Sequence, residues 1–110
     1  MKRIICICIA VILLAAAPAM AMTGNQLKDN ADYGEKDPRS YSQGYFLGYV
    51  AGVADETTTK LCIHKGVTRA QIAEVVRKYL QDHPEDLYLD PNVLVLKAIQ
   101  TAWPCKRAGH

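Results

Sequence analysis

Three times the chain repeats one short pattern: "TGNQ" at residues 23–26, "SYSQ" at 40–43 and "TRAQ" at 68–71. In each, a hydroxyl residue stands three positions before a glutamine. That is the spacing of a capping box, in which the hydroxyl accepts the third helical N–H and the glutamine reaches back to the cap amide. A fourth start has a different chemistry. In "LDPNVL", Asp90 is placed as an N-cap and Pro91 at the first helical position, where its missing donor does no harm. Four helix starts leave no room for a sheet, because the β-branched runs fall inside helical periods.

The first helix is predicted over about 24–31, with Met22 and Leu27 as a hydrophobic staple. "DYGEKDPR" then reads as a polar connection broken by Gly34 and Pro38. The second helix is predicted over about 41–58 and fades in the β-branched "ETTTK". The third, stapled by Val67 and Ile72, carries an apolar stripe of Ile72, Val75, Val76, Tyr79 and Leu80. Glu74 and Lys78 are spaced for an outer ion pair, and His83-Pro84 ends the helix. The fourth, "VLVLKAIQTAW", is apolar nearly all round and is expected to be central until Pro104 stops it. The fold class is therefore all-α, a small four-helix bundle.

Residues 1–21 read as a secretory signal rather than as part of that bundle. Lys2 and Arg3 precede a 14-residue apolar run, and Ala19 and Ala21 have signal-peptidase spacing. The run falls short of the roughly 20 residues of a membrane span, and no cysteine marks a lipoprotein. Residues 22–110 are expected to form one domain, without a membrane role after cleavage. Of 13 basic and 11 acidic residues, Lys2 and Arg3 leave with the signal, so the remainder is balanced. Without a basic patch, nucleic acid is a poor partner.

Of four cysteines, Cys6 and Cys8 fall in the signal; Cys62 and Cys105 remain. An even pair in an exported chain is expected to form a disulfide. Closing a loop of about 44 residues contributes about 4 kcal/mol, and the bridge would make the last two helices antiparallel neighbours. The same residues have other conceivable uses. Cys62 with His64 or His83 has the elements of a nucleophile and base, but no local signature. Cys62, His64 and Cys105 could ligate zinc, but the spacing fits no standard site. No catalytic residue, metal site or cofactor is assigned, and His110 is terminal.

"GYFLGYVAGVAD", residues 44–55, poses a separate question. Gly44, Gly48 and Gly52 share one helical face, and each costs about 0.8–1 kcal/mol against alanine. A close contact on that face is expected to offset the cost: the fourth helix first, an equivalent helix across a dimer axis second. Asp55 shares the face and reads as a partly buried carboxylate accepting hydrogen bonds, or as a partner contact. Tyr41, Tyr45 and Tyr49 form the next stripe, with core and interface readings both open.

"GYFLGYVAGVAD", "CIHKGVTRAQIAEVVRKYLQDHPE" and "LVLKAIQTAWPC" together resemble the Tai/Rap family of type VI secretion immunity proteins. The resemblance covers about 44–105. It implies a small helical periplasmic protein, commonly dimeric, that neutralises a peptidoglycan amidase effector by placing a loop in its active-site groove. It also implies the Cys62–Cys105 bridge. A further cysteine pair often seen in the family is missing: Phe46 stands where one partner belongs, and no cysteine lies between 22 and 45.

For the blocking loop, "HPEDLYLDP" at 83–91 has the needed features. Pro84 and Pro91 stiffen its ends, Glu85 and Asp86 offer acceptors, and Tyr88 offers an aromatic anchor. Against this, Leu87 and Leu89 would serve equally to tuck a plain connection onto the core, and the chain around Lys36 and Tyr41 is an alternative surface. The expected function is a non-enzymatic inhibitor of a secreted cell-wall hydrolase. The alternative is a small periplasmic stress chaperone, and a secreted enzyme ranks third.

Overall fold

The computed structural model describes residues 22–106. The predicted signal and His110 lie outside them. The described residues contain four α-helices and no strand: α1 (Gly24–Lys36), α2 (Tyr41–Glu56), α3 (Arg69–Asp82) and α4 (Pro91–Ala102). Single 3-10 turns at Thr58–Lys60 and Pro84–Asp86 mark two of the connections. None of the helices is long and apolar enough to cross a membrane.

Two of the three predicted capping boxes close fully, at Thr23/Gln26 and Thr68/Gln71. The third closes by half. Ser40 Oγ accepts Gln43 N–H at 3.2 Å, but the Gln43 side chain is drawn away to Arg77. Asp90 occupies the cap of α4 without a side-chain cap bond; its backbone carbonyl accepts Leu94 N–H at 3.1 Å.

Each helix touches the other three. Their shared core runs through Leu27 and Ala31 of α1, Phe46 and Val50 of α2, Val76 and Leu80 of α3, and Leu94, Val95 and Ile99 of α4. Each of these side chains is fully or almost fully buried, and burial of one such side chain is worth roughly 1.5–3 kcal/mol. The fourth helix is one-sided rather than central: Val93, Lys97 and Thr101 face solvent.

Arg77 is the surprise of the core. It is only 3% exposed. Its guanidinium donates to the Ala31 carbonyl on α1, to Gln43 Oε1 on α2 at 3.0 Å and to Glu74 Oε1 at 3.2 Å. It also lies 4.8 Å from the centre of the Phe46 ring. The guanidinium's five donors, spread in a rigid planar fork, reach acceptors on three helices at once. Glu74 is thus paired with Arg77, and Lys78 with Asp82 at 3.4 Å, in place of the predicted Glu74–Lys78 pair.

Cys62 and Cys105 form the expected disulfide, with Cα atoms 5.2 Å apart. It ties the segment before α3 to the chain just beyond α4. Neither sulfur is left as a thiolate, which removes the nucleophile and zinc readings of these cysteines.

The glycines overturn the packing expectation. Gly44, Gly48 and Gly52 have open space where a Cβ would stand, so neither α4 nor any other described element packs on them. The close approaches occur at two other glycines. A Cβ on Gly24 would lie 2.5 Å from the Leu87 carbonyl oxygen and 2.9 Å from that of Leu89. One on Gly34 would lie 2.7 Å from the Gln43 Cα. Gly34 is therefore no breaker: α1 runs on to Lys36 because this residue lets α2 cross closely. Asp55 is also corrected. It is exposed and pairs with Arg69 at 3.1 Å, because its face of α2 looks to solvent.

Candidate functional site

The connection between α3 and α4 is built from its ends inward. His83 closes α3, with its N–H and its Nδ1 each 3.0 Å from the Tyr79 carbonyl oxygen. A carbonyl can only accept, so Nδ1 carries the proton. The imidazole stacks on the Tyr79 ring with centroids 3.9 Å apart. Pro84 then opens a 3-10 turn. Asp86 N–H bonds to the His83 carbonyl at 3.1 Å, Leu87 N–H to that of Pro84 at 3.3 Å, and Leu89 N–H to that of Asp86 at 2.9 Å.

This turn is seated on the start of α1. Gly24 N–H donates to the Leu89 carbonyl at 3.2 Å, and Asn25 Nδ2 donates to the Leu87 carbonyl at 3.2 Å. Both acceptors belong to a connection, where an unpaired carbonyl facing the core is costly. Leu87 drops into the core at 7% exposure, and Leu89 is half-buried. The tucking that the leucines suggested is real, yet it leaves Tyr88 between them 79% exposed.

The three residues singled out for partner contact are thus divided. Glu85 and Tyr88 face solvent. Asp86 turns inward: its Oδ2 accepts Tyr79 Oη–H at 2.8 Å and lies 3.5 Å from Lys97 Nζ. The phenol, opposed by burial and then helped by Lys97 and His83, holds the Asp86 carboxyl below its ordinary range. In return, burial first and the Asp86 hydrogen bond second push the Tyr79 phenol up to about 12.

A second surface adjoins the first. Gly48, Tyr49, Gly52, Val53, Glu56 and Asn92 line a shallow open groove along α2. It continues past Tyr45, Tyr49 and Asn92 to Asp90 and Pro91, where the connection ends. The tyrosine stripe is graded across this edge: Tyr41 is 82% exposed, Tyr45 is 40% exposed and Tyr49 is half-buried. Reading the sequence missed Tyr79 and Lys97 as partners of Asp86, and Arg77 as a buried residue of the core. The signal available for Arg77 was its place four residues after Ala73 and three before Leu80, on the buried face.

The described residues contain no group of three His, Cys, Asp or Glu side chains placed to hold a metal. No curated protein and no solved structure gives a significant match to the chain. The model of one family, the Rap1a immunity proteins, matches residues 23–105, which takes in all four helices, the α3–α4 connection and both bridged cysteines; the chain belongs to the Rap1a immunity protein family.

Proposed function

We propose that this protein is exported to the periplasm by cleavage of residues 1–21 and there protects the cell as a non-enzymatic immunity protein. Its target is a peptidoglycan amidase delivered by type VI secretion. The observation that carries the reading is the family match across the whole helical unit. It favours toxin neutralisation over the chaperone alternative. The amidase target and the occluding mode come from the resemblance of residues 44–105 to the Tai/Rap proteins.

The contact is assigned to the 83–91 connection. A blocking element must be held in shape before it binds, since ordering it on binding subtracts from affinity. This connection is anchored to α1 through two carbonyls and to the core through Leu87, while Glu85 and Tyr88 project. The open glycine face of α2 is assigned to a second copy of the chain. Side-chain-free positions let another helix approach closely, and nothing within the described monomer uses them.

The test takes a type VI peptidoglycan amidase that the parent protein binds and titrates it with the double variant Glu85→Lys/Tyr88→Ala. The variant's melting curve should match the parent's. Loss of a central aromatic anchor should weaken binding at least about 30-fold, the scale of a hot spot. Affinity within about twofold of the parent removes the connection from the interface. Sedimentation of Gly48→Leu then tests the second copy: a parent dimer that persists in the variant excludes this face.

A further inference from the structure

We propose that Tyr79 and Lys97 are positioning residues for partner recognition: through Asp86 they hold the 84–86 turn so that Glu85 and Tyr88 are presented together. The inference rests on the contact assigned above to the 83–91 connection.

The two halves of that connection are held by different means. Residues 87–89 are tied to α1 by backbone and amide bonds and by the burial of Leu87. Residues 84–86 have no bond to α1. Glu85 is exposed and Pro84 has no N–H to give, so the one side chain that ties this half to the bundle is Asp86. Its carboxylate, 19% exposed, accepts from α3 through Tyr79 and lies beside α4 through Lys97. One carboxylate therefore bridges the two helices that the connection joins.

The donors are also constrained. The Tyr79 ring is half-buried under the His83 imidazole, so the hydroxyl has little swing. His83 and Glu85 are the other titratable groups close to the pair, and neither hydrogen-bonds the Asp86 carboxylate. Packing alone does not explain a hydroxyl at position 79, since an apolar ring would cover the same surface; Lys97 faces solvent, and its ammonium adds a charge beside the Asp86 carboxylate. What the polar atoms add is a fixed direction for Asp86, and with it the orientation of Glu85 relative to Tyr88, whose own half of the connection is pinned to α1.

The test uses Tyr79→Phe and Lys97→Met, with Lys97→Arg as the conservative control. All three keep the bulk of the side chain, so the bundle is expected to fold, and the melting curve checks it. Amide hydrogen exchange of the free protein is read at Leu87 and Leu89, whose N–H groups close the turn. Exchange there should quicken about tenfold in Tyr79→Phe, the scale of one lost charge-assisted bond, and about threefold in Lys97→Met, whose half-exposed ammonium lies 3.5 Å from Asp86, while α2 amides keep their rates. The same amidase should bind Tyr79→Phe about five- to tenfold and Lys97→Met about threefold more weakly, and Lys97→Arg within about twofold of the parent.

Unchanged exchange at Leu87 and Leu89 overturns the proposal whatever the affinity does. Faster exchange with unchanged affinity also overturns it, provided Glu85→Lys/Tyr88→Ala still weakens binding; the contact assignment then stands without the positioning role. Indifference of the amidase to that double variant sinks the contact assignment itself, and the positioning role falls with it.

Discussion

Replacing Gly44, Gly48 and Gly52 together by alanine should make the isolated protein more stable. A sequence-only reading expects the opposite for larger side chains there, so the experiment discriminates. A Cβ at each position meets nothing within 4 Å, which removes any steric term. What remains is helix propensity. Gly48 and Gly52 sit well inside α2, and each should yield close to the full difference of about 0.8–1 kcal/mol. Gly44 lies in the first turn, its N–H bonded to the Ser40 carbonyl at 3.3 Å, and should yield less. The sum is about 2 kcal/mol, or roughly 8–16 °C in Tm for a domain of this size. Gly24→Ala supplies the contrast. Its Cβ would stand against two backbone carbonyls, so the α3–α4 connection must shift and the Gly24–Leu89 bond must stretch. Overpacking of that kind costs about 1–3 kcal/mol. Both variants are unfolded in urea, followed by circular dichroism, at a protein concentration where sedimentation shows monomer only, because association would add its own stabilisation. A triple alanine variant that unfolds at or below the parent's urea midpoint under those conditions refutes the reasoning: the face would then be packed inside the fold.

Three further outcomes concern the contacts that join the helices. Protein from an oxidising compartment should show no free thiol at Cys62 or Cys105, and reduction should cost about 4 kcal/mol in urea unfolding; full alkylation without reductant contradicts the bridge. Arg77→Met should cost about 3 kcal/mol, because the Ala31 carbonyl and Gln43 Oε1 lose their buried donor; a neutral result by denaturant titration means those acceptors reach water. The Tyr79–Asp86 bond should give stability an alkaline and an acid limit. Tyr79 has a folded value raised from 10.0 to about 12, so its contribution is whole below pH 10 and is lost as pH rises through 12. Asp86 is depressed below its ordinary 3.8, so its contribution is present above that value and lost as pH falls through the lower folded one. Tyrosinate absorbance and melting temperature across both ranges check this, and Tyr79→Phe should shrink the alkaline limb, leaving the part due to Tyr49, whose phenol is also raised by burial.

The helix starts were legible because a cap is local chemistry. The hydroxyl and glutamine that make each box lie within four residues, and no distant element is needed to read them. The disulfide was legible by count, and the α3 stripe by period. What failed were inferences about what stands opposite. Periodicity places Gly44, Gly48 and Gly52 on one face, but it says nothing of whether that face is covered. Gly24 and Gly34 do the close packing without any repeat to announce them. Gly34 reads as a helix breaker in isolation, and only the approach of Gln43 makes it a helical residue. Arg77 sits in "VVRKYL", where an arginine beside a lysine looks like a solvated pair. Its burial depends on acceptors from two other helices, 46 and 34 residues away in sequence. At the candidate site, the composition of 83–91 pointed to the segment but could not divide it. Asp86 turned inward and Glu85 outward because of Tyr79 and Lys97, which belong to different helices.

The two exposed surfaces differ in kind, and the difference bears on what each can recognise. The connection is rigid and rough. Its backbone is pinned to α1, and its projecting Tyr88, with two side-chain torsions, would be ordered in a partner's pocket at small entropic cost. The α2 face is smooth. Its three glycine positions have no side chains to order, and they admit another backbone more closely than alanines would. Such a face keeps the monomer about 2 kcal/mol below what alanine would give, a large share of a small domain's roughly 5–15 kcal/mol. The cost is intelligible when the face serves an assembly and hard to explain when it serves nothing. The triple alanine variant separates these cases by binding as well as by stability. Asn92 and Tyr49 join the two surfaces, so a partner that spans both would feel the alanines through the groove. A partner that touches only the connection would bind the stabilised variant as it binds the parent, and a second copy that uses the stripe would not.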